Sequence, residues 1–130
     1  MPAESNRDAG YGASLRNLYN PGAMDLDRLA NALEIFGSLA PGAMPLHHMQ
    51  LVLFIKEGGQ KGVTYGDIER RFRLSNASAS RSVNALSETV RHRKTALGLV
   101  EIIRDAEEGR RYRVRLTAKG SAVVRSIEAL

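Results

Sequence analysis

The stretch Val63–Leu86, VTYGDIERRFRLSNASASRSVNAL, constrains the fold more than any other part of the chain. Thr64 followed three residues later by Asp67 has the pattern of a capping box, with Asp in place of the usual Glu, and starts a helix at Tyr65. Ile68 and Phe72 are the core-facing positions of that helix. Only Arg73, Leu74 and Ser75 separate it from a second helix, in which Ala79, Val83 and Leu86 recur at spacings of four and three. Two short helices joined by a three-residue turn, with Leu74 as an apolar anchor, form a helix-turn-helix. Helical hairpins of this sort also occur in proteins that bind no DNA, so the motif speaks to architecture before function.

The second helix has an odd composition. Projected at 100° per residue, residues 76–91 gather Ala79, Val83, Leu86 and Val90 within about 60° of one another. The opposite face carries Ala77, Arg81, Asn84 and Glu88, flanked by Ser78, Ser80 and Ala85. Serine hydroxyls compete for backbone partners, so such a helix is intrinsically weak. Short side chains, however, let a helix approach the floor of a DNA major groove, and serine hydroxyls can donate to phosphates or base edges. Arg81 suits guanine or phosphate; Asn84 suits adenine, phosphate or plain solvent. An unconstrained surface helix is the bland alternative, and it leaves the accepted weakness unexplained.

Downstream, LVEIIR (99–104), DAEEG (105–109) and RRYRVRL (110–116) read as an antiparallel hairpin with an acidic tip. Its return strand alternates, with Tyr112, Val114 and Leu116 on one face and Arg111, Arg113 and Arg115 on the other. Thr117 caps a final helix with Val123, Val124, Ile127 and Leu130 as apolar positions, in which Gly120 costs ~1 kcal/mol relative to Ala. Upstream, residues 25–40 form an amphipathic helix whose stripe is Leu26, Leu29, Ala30, Leu33, Phe36 and Leu39 or Ala40, with Asp25 and Asp27 in its first turn. PGAMP (41–45) breaks the chain, LHHMQLVLFIKE (46–57) forms a helix buried on more than one side, and the glycines at 58 and 59 stop it. GVT (62–64) is long enough only for a very short strand. Residues 1–22 show no clean period and read as a flexible arm, leaving one domain over residues 23–130. The fold class is mainly α with a small β-hairpin wing.

Residues 61–119 hold 14 Lys and Arg against 7 Asp and Glu, whereas residues 1–60 hold 4 against 6. All of the positive excess therefore lies around the hairpins, as an electrostatic footprint for a polyanion would, although a solvated basic surface has the same count. The absence of cysteine rules out disulfides, a thiolate nucleophile and a Cys-ligated zinc. LVLFI (51–55) is far too short to span a membrane, and the first 14 residues lack an apolar signal-peptide core, so the protein reads as cytoplasmic, nucleoid-associated if bacterial. His47 and His48 point about 100° apart on a helix and cannot chelate as an i, i+4 pair would. EGGQKGVT (57–64) lacks the spacing of a phosphate-binding loop. Nothing groups a nucleophile, a base and an orienting acid, so the chain reads as no enzyme and implies no cofactor or metal.

From Leu46 to Ile127 the chain resembles the MarR-type winged helix-turn-helix transcriptional regulators. The likeness rests on the two-helix reader with its Ser80-Arg81 pair, and on GLVEIIRDAEEGRRYRVRLTAKG (98–120), similar to that family's strand, wing, strand and helix start. The resemblance implies a sequence-specific double-stranded DNA-binding regulator, with the reader helix in the major groove and the wing at the minor groove. Glu108, Gly109 and Arg110 stand where the family's wing commonly carries Asp-Gly-Arg, which makes Arg110 the wing-tip arginine, oriented by Asp105 or Glu108. The expected DNA-binding set is Ser78, Ser80, Arg81, Asn84, Arg91, Arg93, Lys94, Arg110, Arg111 and Arg113. From Leu86 to Gly98 the connection is longer than the family's, and its basic residues Arg91, Arg93 and Lys94 either extend the reader helix by up to two turns or sit in a loop. The family's further carboxyl-terminal helix is missing from this sequence, so a homodimer would rely on residues 25–40 and the last helix, with a monomer as the alternative. Small-molecule effectors are common in the family; Leu33, Phe36, Met49 and Phe54 could line such a pocket, but core packing is the better reading of them, given how few aromatics the chain has. A winged-helix module docking on transcription or replication machinery is the alternative function.

Overall fold

The computed structural model of the chain describes residues 24–40, 42–87 and 97–130. Of the described residues, those up to Asn31 fall in one unit and those from Ala32 to Leu130 in a second, which holds the hydrophobic core. Helix α1 spans Leu26–Gly37. Asp25 caps it from outside, its Oδ1 accepting the N–H groups of Asp27 at 3.0 Å and Arg28 at 3.3 Å. Of the apolar stripe only Phe36 is buried; Leu26, Leu29 and Leu33 are 71%, 40% and 44% exposed.

In the second unit α2 (Leu46–Lys56) buries Leu51, Val52 and Ile55. Gly62 follows at φ +80°, so close to the strand Tyr112–Leu116 that a Cβ would strike the Val114 carbonyl. Strand β1 (Val63–Thr64) turns at once into α3 (Tyr65–Phe72) through the expected capping box. The Asp67 N–H donates to Thr64 Oγ1 at 3.0 Å and the Thr64 N–H to Asp67 Oδ2 at 2.9 Å. Arg73, in left-handed geometry, ends α3, and α4 (Asn76–Leu86) begins behind the cap of Ser75, whose Oγ accepts the Ser78 N–H at 3.1 Å.

Strands β2 (Val100–Arg104) and β3 (Tyr112–Leu116) form the expected hairpin, with Ile102 opposite Val114 and Arg104 opposite Tyr112. The antiparallel sheet runs β1-β3-β2. Helix α5 (Ala118–Glu128) is capped by Thr117, whose Oγ1 accepts the Gly120 N–H at 3.0 Å and donates to the Gly98 carbonyl at 2.6 Å. Gly120 is required by packing: a Cβ there would collide with the carbonyl of Leu99. The core joins Phe36, Ile55, Ile68, Val83, Leu86 and Val114, with Met49 and Phe54 packed against it. Three of the four candidate pocket residues are thus core or core-packed, and the fourth, Leu33, is exposed.

Candidate nucleic-acid interface

Helix α4 is seated by Ala79, Val83 and Leu86, each fully buried, and by Ser82 and Ala85, which are also buried. Ala85 therefore belongs to the packed side of the helix and not to its outward flank. Ala77, Arg81 and Asn84 are exposed, and Ser78 and Ser80 are half-buried beside them. Along one edge the polar groups form a ladder with a three-residue step: Ser75 Oγ donates to Ser78 Oγ at 3.2 Å, and Arg81 Nη2 donates to Ser78 Oγ at 3.1 Å. The ladder holds the Arg81 head close to the helix surface. Asn76 Nδ2 donates to Glu69 Oε2 at 3.0 Å and fixes the start of α4 against α3. Beside this edge runs an open groove of about 450 Å³, bordered by His47, His48, Leu74, Ser78 and Arg81.

The carboxyl end of α4 is fixed by backbone pairing with the strand that follows the connection. Ser87 is extended, at φ −81° and ψ 163°, and bridges Val100. The Leu99 N–H donates to the Leu86 carbonyl at 2.8 Å and the Gly98 N–H to the Ser87 carbonyl at 3.2 Å. Helix α4 therefore ends at Leu86, with Ser87 already in extended geometry. Glu88, Val90, Arg91, Arg93 and Lys94 lie outside the described residues.

In the wing the pairing differs from expectation. Asp105, with its side chain 3% exposed, accepts from Arg113 Nε at 2.8 Å and pairs with Arg111 Nε at 3.4 Å. Its other oxygen accepts the N–H groups of Glu107 at 2.9 Å and Glu108 at 3.3 Å. The Arg113 hydrogen bond, helped by these backbone donors, lowers the Asp105 pKa to about 2. Glu108 Oε2 accepts from Arg111 Nη2 at 3.2 Å. The two acids thus orient Arg111 and Arg113, and not Arg110, because the strand register places Arg113 opposite Ile103, two residues before Asp105. Arg110 is exposed and makes no ion pair or hydrogen bond among the described residues.

Arg113 is further committed through Nη1 to the Gly62 carbonyl at 3.2 Å, and its side chain is only 15% exposed. Arg115 repeats the arrangement, with Nε on Glu101 Oε2 at 2.8 Å and Nη1 on the Gln60 carbonyl at 3.3 Å. Both therefore stitch the wing to the loop before β1. Arg104, which sequence reasoning passed over, donates to the Gly109 carbonyl and to the Tyr112 hydroxyl, and lies 5.3 Å from the Tyr112 ring centre. Its in-register position opposite Tyr112 was the signal available in the hairpin alignment.

Among the described residues no three His, Cys, Asp or Glu side chains cluster as metal ligands, and no helix is long and apolar enough to cross a membrane.

No protein-family model matches the sequence, and no curated protein matches it. Solved structures do match. A MepR variant of S. aureus bound to an oligodeoxyribonucleotide is 18% identical with a TM-score of 0.59, covering 92% of this chain and 74% of its own. A MarR variant from E. coli complexed with operator DNA is 14% identical with a TM-score of 0.55, covering 97% and 79%. The PcaV transcriptional regulator of Streptomyces coelicolor, in complex with its natural ligand, is 19% identical with a TM-score of 0.52, covering 99% and 77%. At this identity the likeness is one of fold, and the fold is the winged helix-turn-helix of the MarR-type regulators.

Proposed function

We propose that this chain, folded as a MarR-type winged helix, is a sequence-specific double-stranded DNA-binding transcriptional regulator acting in the cytoplasm. The observation that carries the reading is the outward face of α4, where exposed Ala77, Arg81 and Asn84 stand between Ser78 and Ser80 and Arg81 is the one long side chain among these five. In this reading the face enters the major groove, Arg81 contacts a guanine edge, and Asn84 and the two serines contact bases or phosphates. Arg110 reaches the adjacent minor groove from the wing tip. Arg91, Arg93 and Lys94 follow the phosphates, while Arg111 and Arg113 hold the wing in shape. The DNA held by the MepR and MarR variants supports the reading. Exposed Leu26, Leu29 and Leu33 support a homodimer through residues 25–40, with the last helix contributing.

The test is Arg81→Ala, measured on a preferred duplex and on random duplex at equal salt. Loss of a bidentate base contact costs ~1–3 kcal/mol on the preferred site and narrows its advantage over random DNA. Equal loss on both duplexes would reassign Arg81 to a phosphate.

A further inference from the structure

A second site lies on residues that the DNA reading does not use. The end of α2, the loop after it, β3 and α5 border a half-open cleft of about 270 Å³. Its side chains bring together three cations, Lys56, Arg115 and Arg125, against a single carboxylate, Glu128. Arg115 is fixed in place by Glu101 at 2.8 Å and by the Gln60 carbonyl at 3.3 Å, so its guanidinium loses little freedom on meeting a ligand. Lys56 Nζ lies 3.3 Å from Glu128 Oε2, an ion pair whose side chains are 46% and 55% exposed and which therefore opens at small cost. Arg125 has no ion pair, and the half-buried Ser121 side chain no hydrogen bond, among the described residues. Val124, 5% exposed, supplies an apolar wall.

From this arrangement we infer that the cleft binds a compact dianion, a phosphate monoester or a short dicarboxylate. Glu101 already neutralises Arg115 and Glu128 neutralises Lys56, so Arg125 alone is uncompensated until a ligand draws Lys56 off the exposed Glu128; Lys56 and Arg125 together then match a dianion. The volume lies just below the ~300–1,000 Å³ range typical of drug-sized ligands, which suits a small, highly charged occupant. Arg125 and Ser121 provide direct donors, Arg115 a preorganised one, and Lys56 a charge released from Glu128.

The test is an amide-resolved NMR titration of the full chain with inorganic phosphate and, separately, with succinate, against sodium chloride at matched ionic strength. The expected result is a saturable shift of the Gln60, Ser121 and Arg125 amides with at least one dianion and none with chloride. A response to phosphate alone or to succinate alone supports the site and selects the ligand class. Arg125→Glu should weaken the response about tenfold or more, consistent with loss of a charge-assisted contact. Arg125→Gln serves the same purpose if the reversal disturbs folding. Arg81→Ala should leave the response unchanged, which separates this site from anion binding on α4. Shifts that fail to saturate, that chloride reproduces, or that survive the Arg125 substitutions at full affinity would overturn the inference.

Discussion

The carboxylate of Asp105 ties the return strand of the wing to its tip, because it receives two guanidinium groups and two backbone N–H groups at once. Its native pKa of about 2 lies below the ordinary carboxylate value of ~3.9, so the unfolded chain binds its proton more readily. The stabilisation is therefore complete above about pH 4 and is lost as pH falls through about 2. Asp105→Asn should lower the melting temperature at pH 7, and its melting temperature should fall less steeply between pH 4 and 2 than that of the wild type. Parallel acid profiles would show that the clamp contributes nothing. Gly120 makes the opposite kind of demand. Alanine is the better helix former by ~1 kcal/mol, yet its Cβ would strike the Leu99 carbonyl and crowd Leu116. Overpacking should win, so that Gly120→Ala destabilises by ~1–3 kcal/mol in urea unfolding. A gain in stability would mean that α5 and Leu99 do not pack this closely.

At the level of elements, the features written in local chemistry were readable and those set by distant partners were not. The Thr64–Asp67 box and the Phe72 end of α3 follow from neighbouring residues, and the hairpin follows from strict alternation. The end of α4 carries no proline or glycine; it is imposed by Leu99 and Val100, which return to take Leu86 and Ser87 into backbone pairing. Hydrophobic period placed α1 correctly but said nothing of what covers its stripe, and only Phe36 is buried. Within the wing, the composition RRYRVR shows four arginines but not which are already paired. Arg113 and Arg115 face acids and loop carbonyls, whereas Arg110 does not. Arg110→Ala should accordingly leave the melting temperature unchanged while lowering the slope of log K against log salt by ~1 if it meets a phosphate. Arg113→Ala should lower the melting temperature instead. The reverse pattern would exchange their roles.

For the whole molecule, the positive excess of residues 61–119 spans the helix-turn-helix and the β2–β3 hairpin, and the fold is one found in structures that hold DNA. Charge alone would give only sequence-independent attraction. Base reading by the small-residue face of α4, as proposed, adds sequence discrimination to that attraction. Selection of the purified protein on a random duplex library separates the two. Base reading enriches a defined motif, two-fold symmetric if the exposed stripe of α1 pairs two copies. Retention of DNA at low salt with no enriched sequence would contradict it.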